Sequence, residues 1–260
     1  MTYSGRALRD LQADGWEITE TFHPGGTATD WHEHEIGHFC LVVAGSLVDE
    51  GGDARRDCGP GTLLYFPGRV PHRDVFLESG ARCLNLRPPR AGTGALGVAP
   101  GDGEARVLLC EHSASWLAGR VYDRIRIAAA HSDASSDELV DLLAADSFAR
   151  AETPQDPQWL GHARALIDEE WASDARLGTV AVRVGVSRYH LARKFRERFG
   201  CSVGEYVHRL RVTQARHLLL ATDASLSEIA FTTGFADQSH FTRIFRRHIG
   251  TSPDRYRRAA

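Results

Sequence analysis

The chain has 260 residues, of which 42% are hydrophobic and 25% are charged, and its formal net charge is −3. This length exceeds what one hydrophobic core usually supports, so we expect two domains. The absence of an apolar run of about 18 residues argues against a membrane span, and the absence of a basic-then-apolar leader argues against secretion. Five cysteines without CxxC spacing fit a reducing cytoplasm and argue against a disulfide framework.

Charge is distributed unevenly along the chain. Residues 159–260 contain 17 Lys and Arg against 10 Asp and Glu, a net charge of +7. Residues 1–158 contain 14 against 24, a net charge of −10. A basic second half beside an acidic first half favours a polyanion as the partner of the second half alone.

Residues 16–87 contain short β-rich runs that are broken by Gly and Pro. The runs are WEITETF, HFCLVVAGSLVDE, GTLLYFPG and ARCLNLRP. Many short strands with regular turn signals predict a sandwich or a barrel. Upstream of the second run, alternate residues of an extended segment lie on one face. We therefore expect His32, His34 and His38 to point the same way.

Downstream, GPGTLLYFPGRVP leads to His72, and the whole arrangement then resembles the cupin fold. The first cupin motif is Gly, five residues, His-x-His, three or four residues, Glu, six residues, Gly. The second is Gly, five residues, Pro-x-Gly, two residues, His. His38 stands at the position of the acidic ligand, Arg69 at that of the second motif's later glycine, and Phe76 at that of the family's closing Asn. The remaining positions match, namely Gly26, His32, His34, Gly45, Gly61, Pro67 and His72.

Four imidazoles that converge in a barrel predict one divalent transition metal, either Zn, Ni, Cu or Fe(II). The predicted ligands are His32, His34, His38 and His72. Because no carboxylate offsets the charge of the metal, the site would be cationic, and an anionic or oxygen-donor effector would complete its coordination. The alternative is a barrel that binds an organic effector, or nothing, and the sequence leaves both open.

Neighbouring residues have simpler expected roles. Cys40 has the same strand parity as the histidines, so it either faces the pocket or is a buried apolar residue. Glu33 and Glu35 have the opposite parity and are expected in solvent. Four further histidines have no second potential ligand at a spacing typical of a metal site. They are assigned structural or surface roles, namely His23, His112, His131 and His162.

The middle of the chain joins the two halves. Residues 87–103 are rich in Gly and Pro and predict a loop. Residues 105–130 and 135–152 have helical patterns, and such helices either pack on their own barrel or pair two protomers. The sequence TPQDPQ is the best domain boundary. The predicted domains are a cupin-like barrel at 1–88, loop and dimerisation helices at 89–152, a linker at 153–158 and a separate basic domain at 159–260.

The second half contains an internal repeat. RKFRERFGCSVGEY, residues 193–206, aligns with RIFRRHIGTSPDRY, residues 243–256, at a constant offset of 50. A fixed-offset repeat is one supersecondary unit used twice. Each copy has a small Ala, then a Gly suited to a turn with positive φ, then a helix-capping residue. This pattern predicts two helix-turn-helix units. The residues are Ala181, Gly185 and Ser187 in one copy and Ala230, Gly234 and Asp237 in the other.

The second helix of each unit is amphipathic. Its apolar face predicts a core, which consists of Leu191, Phe195 and Phe199 in one copy and Phe241, Phe245 and Ile249 in the other. Arg pairs with guanine, Gln pairs with adenine, and further Arg residues contact phosphates. The opposite face therefore predicts a DNA-binding surface, composed of Tyr189, Arg193, Arg196, Gln238, Ser239, Thr242, Arg243 and Arg246.

From about Trp159 to Arg258 the chain resembles the AraC/XylS family of transcription regulators, most densely in IAFTTGFADQSHFTRIFRRHIGTSPDRYR. The resemblance implies two helix-turn-helix units joined by a long helix, here residues 203–221. It also implies two recognition helices in successive major grooves. A cupin domain ahead of such a half is a common pairing in this family. The implied fold is two-domain α+β, with a β-barrel followed by an all-α domain.

The resulting hypothesis is a cytoplasmic, non-enzymatic, sequence-specific DNA-binding regulator whose cupin domain senses a small molecule or metal ion. The implied partners are double-stranded DNA, the effector, RNA polymerase and a second copy of the chain as a homodimer. One alternative is a metal-dependent, dioxygenase-like cupin enzyme fused to a DNA-binding domain. Four protein ligands would leave fewer than three open coordination positions, which counts against it. Another is a regulator whose barrel senses nothing and serves dimerisation.

Overall fold

The computed structural model describes residues 5–13, 15–51, 54–88, 108–109, 112–128, 156–173 and 175–259. The chain divides into two compact units, residues 1–149 and residues 150–260. A search of the described helices finds none whose length and apolar character would allow it to cross a membrane.

The first unit is an antiparallel sheet. Its strands follow the order β1-β2-β6-β3-β5-β7, and β4 pairs with β3. Within the described residues this path does not close, so the cupin-like antiparallel fold is confirmed as an open, folded sheet rather than as the closed barrel that we expected. The strands are β1 (Arg6–Ala13), β2 (Trp16–His23), β3 (His38–Gly51), β4 (Ala54–Cys58), β5 (Leu63–Phe66), β6 (His72–Arg87) and β7 (Leu108–Leu109).

The two long strands, β3 and β6, bend together where two glycines meet. Gly45 and Gly80 have φ values of 75° and 65°. A Cβ atom at Gly45 would lie 2.0 Å from the carbonyl oxygen of Gly80, so only glycine fits this close approach. The pairing register of β3 with β6 shifts beside Gly45. Beyond the bend β3 pairs with β4, whereas before it β3 pairs with β5, and the sheet thereby folds over a cavity.

Four of the strands, β2, β3, β5 and β6, confirm the predicted runs. Strands β1 and β4 were not predicted, since RALRDLQA and ARRDC lack the β-branched alternation of a typical strand. The helix predicted over residues 105–130 is wrong at its start. Leu108–Leu109 forms a short strand on the free edge of β5, and the helix begins only at His112.

Helix α1 (His112–Ala128) packs on the sheet of its own unit. Its buried face includes Trp116, Tyr122 and Ile125. The hydroxyl of Tyr122 donates to Oε1 of Glu20 over 2.8 Å, which joins the helix to β2. Of the two predicted packing modes, this helix adopts the first. The predicted helix at 135–152 lies outside the described residues.

The second unit is helical. In both copies of the repeat, two consecutive helices form a helix-turn-helix. The first pair is α3 (Leu177–Arg183) with α4 (Arg188–Phe199), and the second pair is α6 (Leu226–Thr232) with α7 (Gln238–Ile249). Helix α5 (Val203–Ala221) has the bounds predicted for the joining helix. The apolar faces predicted for α4 and α7 are confirmed, because Leu191, Phe195, Phe241 and Phe245 are fully buried. The helices are α2 (Gln158–Glu170), α3 (Leu177–Arg183), α4 (Arg188–Phe199), α5 (Val203–Ala221), α6 (Leu226–Thr232), α7 (Gln238–Ile249) and α8 (Pro253–Arg258).

The predicted turn and cap residues are confirmed in both copies. Gly185 and Gly234 have φ values of 71° and 72° in the turns between the paired helices. The Ser187 side chain accepts a hydrogen bond from the backbone N–H of the third residue of α4, and Asp237 does the same for α7. These local bonds start each recognition helix where the sequence predicted.

Candidate functional site

The folded sheet of the first unit encloses a cavity of about 290 Å³. All four histidines that the cupin motifs predicted as ligands line it. His38 and His72 are almost fully buried, at 2% and 1% exposure, whereas His32 and His34 are half-buried nearer the opening. The structure therefore brings together residues that lie up to 40 positions apart in the chain.

The four imidazole rings form a contiguous group. The ring centroids of His32 and His72 are 4.4 Å apart, and those of His34 and His38 are 4.2 Å apart. The potential ligand atoms of His32, His34 and His72 all lie within 4.8 Å of one another. His38 lies deeper, where its ring stacks on Phe66 at 5.1 Å. The geometry thus distinguishes a three-histidine group from one neighbouring imidazole.

The segment that carries His32 and His34 is joined to β6 by an antiparallel bridge between His32 and His72. The backbone N–H of His32 donates to the His72 carbonyl over 3.0 Å, and the reverse bond measures 2.9 Å. Exposure still alternates along the segment, with Glu33 and Glu35 in solvent. The parity prediction is therefore confirmed, although the segment is not a regular strand.

Backbone carbonyls define the tautomers of two histidines. Nδ1 of His32 lies 2.9 Å from the Asp30 carbonyl oxygen, and Nδ1 of His72 lies 3.0 Å from that of Val70. A carbonyl only accepts hydrogen bonds, so Nδ1 carries the proton and Nε2 presents a lone pair. Orienting contacts of this kind accompany histidines that bind metals.

Burial keeps three of these imidazoles, those of His34, His38 and His72, uncharged. It lowers the pKa of His34 to about 3, with further lowering by the neighbouring His72 and His32. It lowers the pKa of His72 to about 4, and it holds the pKa of His38 well below its ordinary value. Neutral imidazole is the form that ligates metals, so these three histidines are able to bind a metal at neutral pH.

Several pocket residues were missed in the sequence analysis, among them the titratable residues His23 and Asp74. His23, which was assigned a structural or surface role, lines the cavity and stacks on Phe76 at 4.1 Å. Burial lowers its pKa to about 4.

Asp74 also lines the cavity, and burial together with Asp49 raises its pKa to about 7. Strand parity was the usable signal for Asp74 and Phe76, which lie two and four residues beyond His72. Cys40 faces the cavity, as one of its two predicted roles required.

The backbone path of the cupin motifs is retained despite the Gly-to-Arg departure. Gly26, Gly45 and Gly61 have positive φ values of 72°, 75° and 88°. Arg69 takes a φ of 62° in the position of the missing glycine. An L-residue in this conformation costs about 1–2 kcal/mol. The N–H of Arg69 donates to the His34 carbonyl over 2.7 Å, so this strained residue directly supports the histidine segment.

The second candidate site is the outer face of α4 and α7. Seven of the eight residues predicted to contact DNA are exposed, and Thr242 is half-exposed. Tyr189 is 78% exposed, an unusual position for a large aromatic side chain in water. Arg193 contacts Glu197 over 2.9 Å, whereas among the described residues Arg243 has no ion pair. Both helices thus present cationic and hydrogen-bonding groups opposite their buried faces.

The folds of the two units define a class of protein in which an antiparallel, cupin-like domain precedes a double helix-turn-helix domain. Residues 18–80 match the cupin domain family, and residues 180–259 match a helix-turn-helix domain family. The transcriptional activator RhaS of Klebsiella pneumoniae is 33% identical over 244 residues, which cover 85% of each chain. The chain therefore belongs to the AraC/XylS family of DNA-binding transcriptional regulators, here with an N-terminal cupin domain.

Several further similarities each cover less than half of this chain. PqrA of Proteus vulgaris, a probable transcription factor, is 40% identical over 82 residues, which cover 32% of this chain and 67% of PqrA. The match to RhaS of Escherichia fergusonii spans only 34% of that protein. The DNA-binding domain of AdpA, solved in complex with a target DNA, is 32% identical, with a TM-score of 0.38 over 40% of this chain and 93% of the other.

Proposed function

We propose that this regulator binds a divalent transition metal at His32, His34 and His72, and that an effector completes the coordination of the metal. The observation that carries the proposal is the convergence of three imidazoles within 4.8 Å, two of them with Nε2 lone pairs defined by backbone carbonyls. Zn, Ni, Cu and Fe(II) all accept such nitrogen ligands.

Three protein ligands leave coordination positions open for a water or an effector atom. Because the ligand group contains no carboxylate, a bound dication would remain cationic, which favours an anionic or oxygen-donor effector. His38 adjoins His34 and would either ligate the metal itself or restrain the neighbouring ring. The effector would act by binding two arrangements of the regulator with different affinity.

The three-histidine group also bears on the alternative that the cupin domain is a metal-dependent, dioxygenase-like enzyme. The argument against dioxygenase chemistry assumed four protein ligands, and three leave more open positions. The family relationship supports a non-enzymatic role, because the matched relatives are transcriptional activators. Oxygen-dependent turnover of a small molecule by the metal-loaded protein would instead support the enzyme.

In the second half, we propose that the exposed face of α4 and α7 reads DNA through Tyr189, Arg193, Arg196, Gln238, Ser239, Thr242, Arg243 and Arg246. A homodimer and a contact with RNA polymerase remain predictions. The cytoplasm is the proposed location. Among the described residues the buried cysteines Cys40, Cys58, Cys83 and Cys201 form no disulfide, which fits its reducing conditions.

The decisive experiment is metal analysis by mass spectrometry of protein purified without an affinity tag or chelator. We expect His34→Ala and His72→Ala each to contain about one metal equivalent less than wild type, because each removes a ligand from a single site. His23→Ala is the matched control, since His23 lines the same cavity outside the three-histidine group. Equal metal content in all four proteins, with the variants folded, would show that the histidines only line a pocket.

A further inference from the structure

A second group of potential metal ligands lies in the DNA-binding half, far in sequence from the cupin motifs. Glu205 and His208 lie three residues apart on one face of α5, and His248 lies in the last turn of α7. Their potential ligand atoms all lie within 4.8 Å of one another. The His248 side chain is 7% exposed and that of Glu205 is 26% exposed, so the group is shielded yet reachable from solvent.

We propose that Glu205, His208 and His248 form a binding site for a divalent transition-metal ion such as Zn²⁺, which ties the recognition helix α7 to the joining helix α5. Two imidazoles and one carboxylate form a ligand set that zinc accepts, with a water in the fourth position. Nδ1 of His248 lies 3.7 Å from Oε1 of Glu205, so small side-chain movements would close the set around an ion.

The corresponding corner of the first helix-turn-helix is built differently. There the last turn of α4 carries Arg198, whose Nε lies 2.5 Å from Oδ2 of Asp156. The repeat offset of 50 places His248 at the position of Arg198. The second copy therefore has an imidazole where the first has a permanent cation, and His208 adds another donor beside it. A purely structural ion pair would need only one of these histidines.

The surroundings of Glu205 would allow its carboxylate to exchange its arginine contacts for a metal ion. Arg209 and Arg247 approach its carboxylate only at 3.9 and 4.0 Å, and the Arg247 side chain is 66% exposed. The Arg209 side chain is 21% exposed. The exposed Arg247 contact contributes little to stability, so a metal would displace it at small cost. Burial also lowers the pKa of both His208 and His248, which leaves each imidazole able to ligate at neutral pH.

A metal at this position would restrain the helix that carries Gln238, Ser239 and Arg243. It would bind the folded arrangement of α5 and α7 and not the unfolded chain with its separated ligands. Zinc should therefore raise the unfolding temperature of the helical half. This site is independent of the histidine pocket, because no residue is shared between them.

The test is a zinc titration of the full chain in competition with a chromophoric chelator. We expect His208→Ala and Glu205→Gln to weaken one zinc site by more than about 100-fold, since even outer-shell partners of a metal account for about 10–100-fold. His162→Ala is the matched control, because His162 is an exposed histidine on α2 of the same unit. The pocket histidines are intact in all four proteins, so zinc held there is common to the comparison.

Wild-type zinc affinity and stoichiometry in His208→Ala, with an unchanged circular dichroism spectrum, would overturn the proposal. If His208→Ala does not fold, Glu205→Gln decides, because it removes the charged ligand while retaining the size of the side chain. Unchanged zinc binding in folded Glu205→Gln would overturn the three-ligand site. A zinc-dependent rise in unfolding temperature that both the wild type and His162→Ala show, and Glu205→Gln lacks, would support it.

Discussion

Arg193 and Arg243 occupy equivalent positions of the two recognition helices but have different neighbours. Arg193 donates to Glu197, one helical turn away, over 2.9 Å. The equivalent neighbour of Arg243 is Arg247, which carries the same charge. An exposed ion pair of this kind contributes about 0–1 kcal/mol, so Arg193 can exchange its carboxylate partner for DNA. Within the part of the chain that the structure describes, the two helices therefore present one guanidinium with an ion pair and one without.

At this scale we expect Arg193→Ala and Arg243→Ala each to cost about 1–3 kcal/mol of specific DNA binding, because each removes a bidentate contact to a base. The measurement is a binding titration with an operator fragment and with random DNA of equal length. The loss should be confined to the operator. An equal loss on both DNAs would identify the two residues as phosphate contacts and would contradict the assignment to bases.

At the scale of elements, the two helix-turn-helix units use the same turn in different surroundings. Gly185 and Gly234 both adopt a left-handed conformation. A Cβ atom added at Gly185 would meet nothing within 4 Å, whereas one at Gly234 would lie 2.2 Å from the Ala172 carbonyl oxygen. The second turn is thus packed against the chain that follows α2, and the first is open.

These surroundings predict that a Gly-to-Ala substitution lowers the free energy of unfolding by different amounts in the two turns. Gly185→Ala should lower the free energy of unfolding by about 1–2 kcal/mol, the cost of a left-handed L-residue. Gly234→Ala should lower it further, because the same backbone cost is joined by a clash with Ala172. Urea denaturation of the two variants and the wild type measures both values, and equal losses would be inconsistent with the packed second turn.

At the scale of the whole molecule, the charge asymmetry follows the boundary between units. Residues 159–260 carry a net charge of +7, and the second compact unit begins at residue 150. Its helices bury their own apolar residues, such as Leu160, Ile167 and Tyr206, in a core contained in that unit. We therefore expect the helical half to fold and bind DNA without the cupin domain.

The corresponding prediction concerns the fragment 154–260. It should bind DNA alone, and log K should fall linearly with log salt concentration at about 0.9 per phosphate neutralised. The acidic fragment 1–149 is the matched control and should not bind. If the helical fragment folds but its affinity for DNA does not change with salt concentration, the assignment of a basic DNA-binding surface is contradicted.

Local signals made much of the helical half predictable. The repeat, the turn glycines and the caps at Ser187 and Asp237 act over three or four residues, so they are visible in the sequence without knowledge of the fold. The same holds for the motif glycines of the cupin half. Strand β7 was not predictable in this way, because Leu108–Leu109 becomes a strand only beside the free edge of β5.

The family, the two helix-turn-helix units and the four histidines of the cupin motifs all followed from the amino-acid sequence without the fold. Which potential metal ligands lie close together in space followed only from the tertiary fold. Pairing register brings His32 to His72, folds His23 and Asp74 into the same cavity, and places His38 beside the three-histidine group. Helix packing likewise brings His248 to Glu205. Such contacts join residues about 40 positions apart, and no local interaction specifies them.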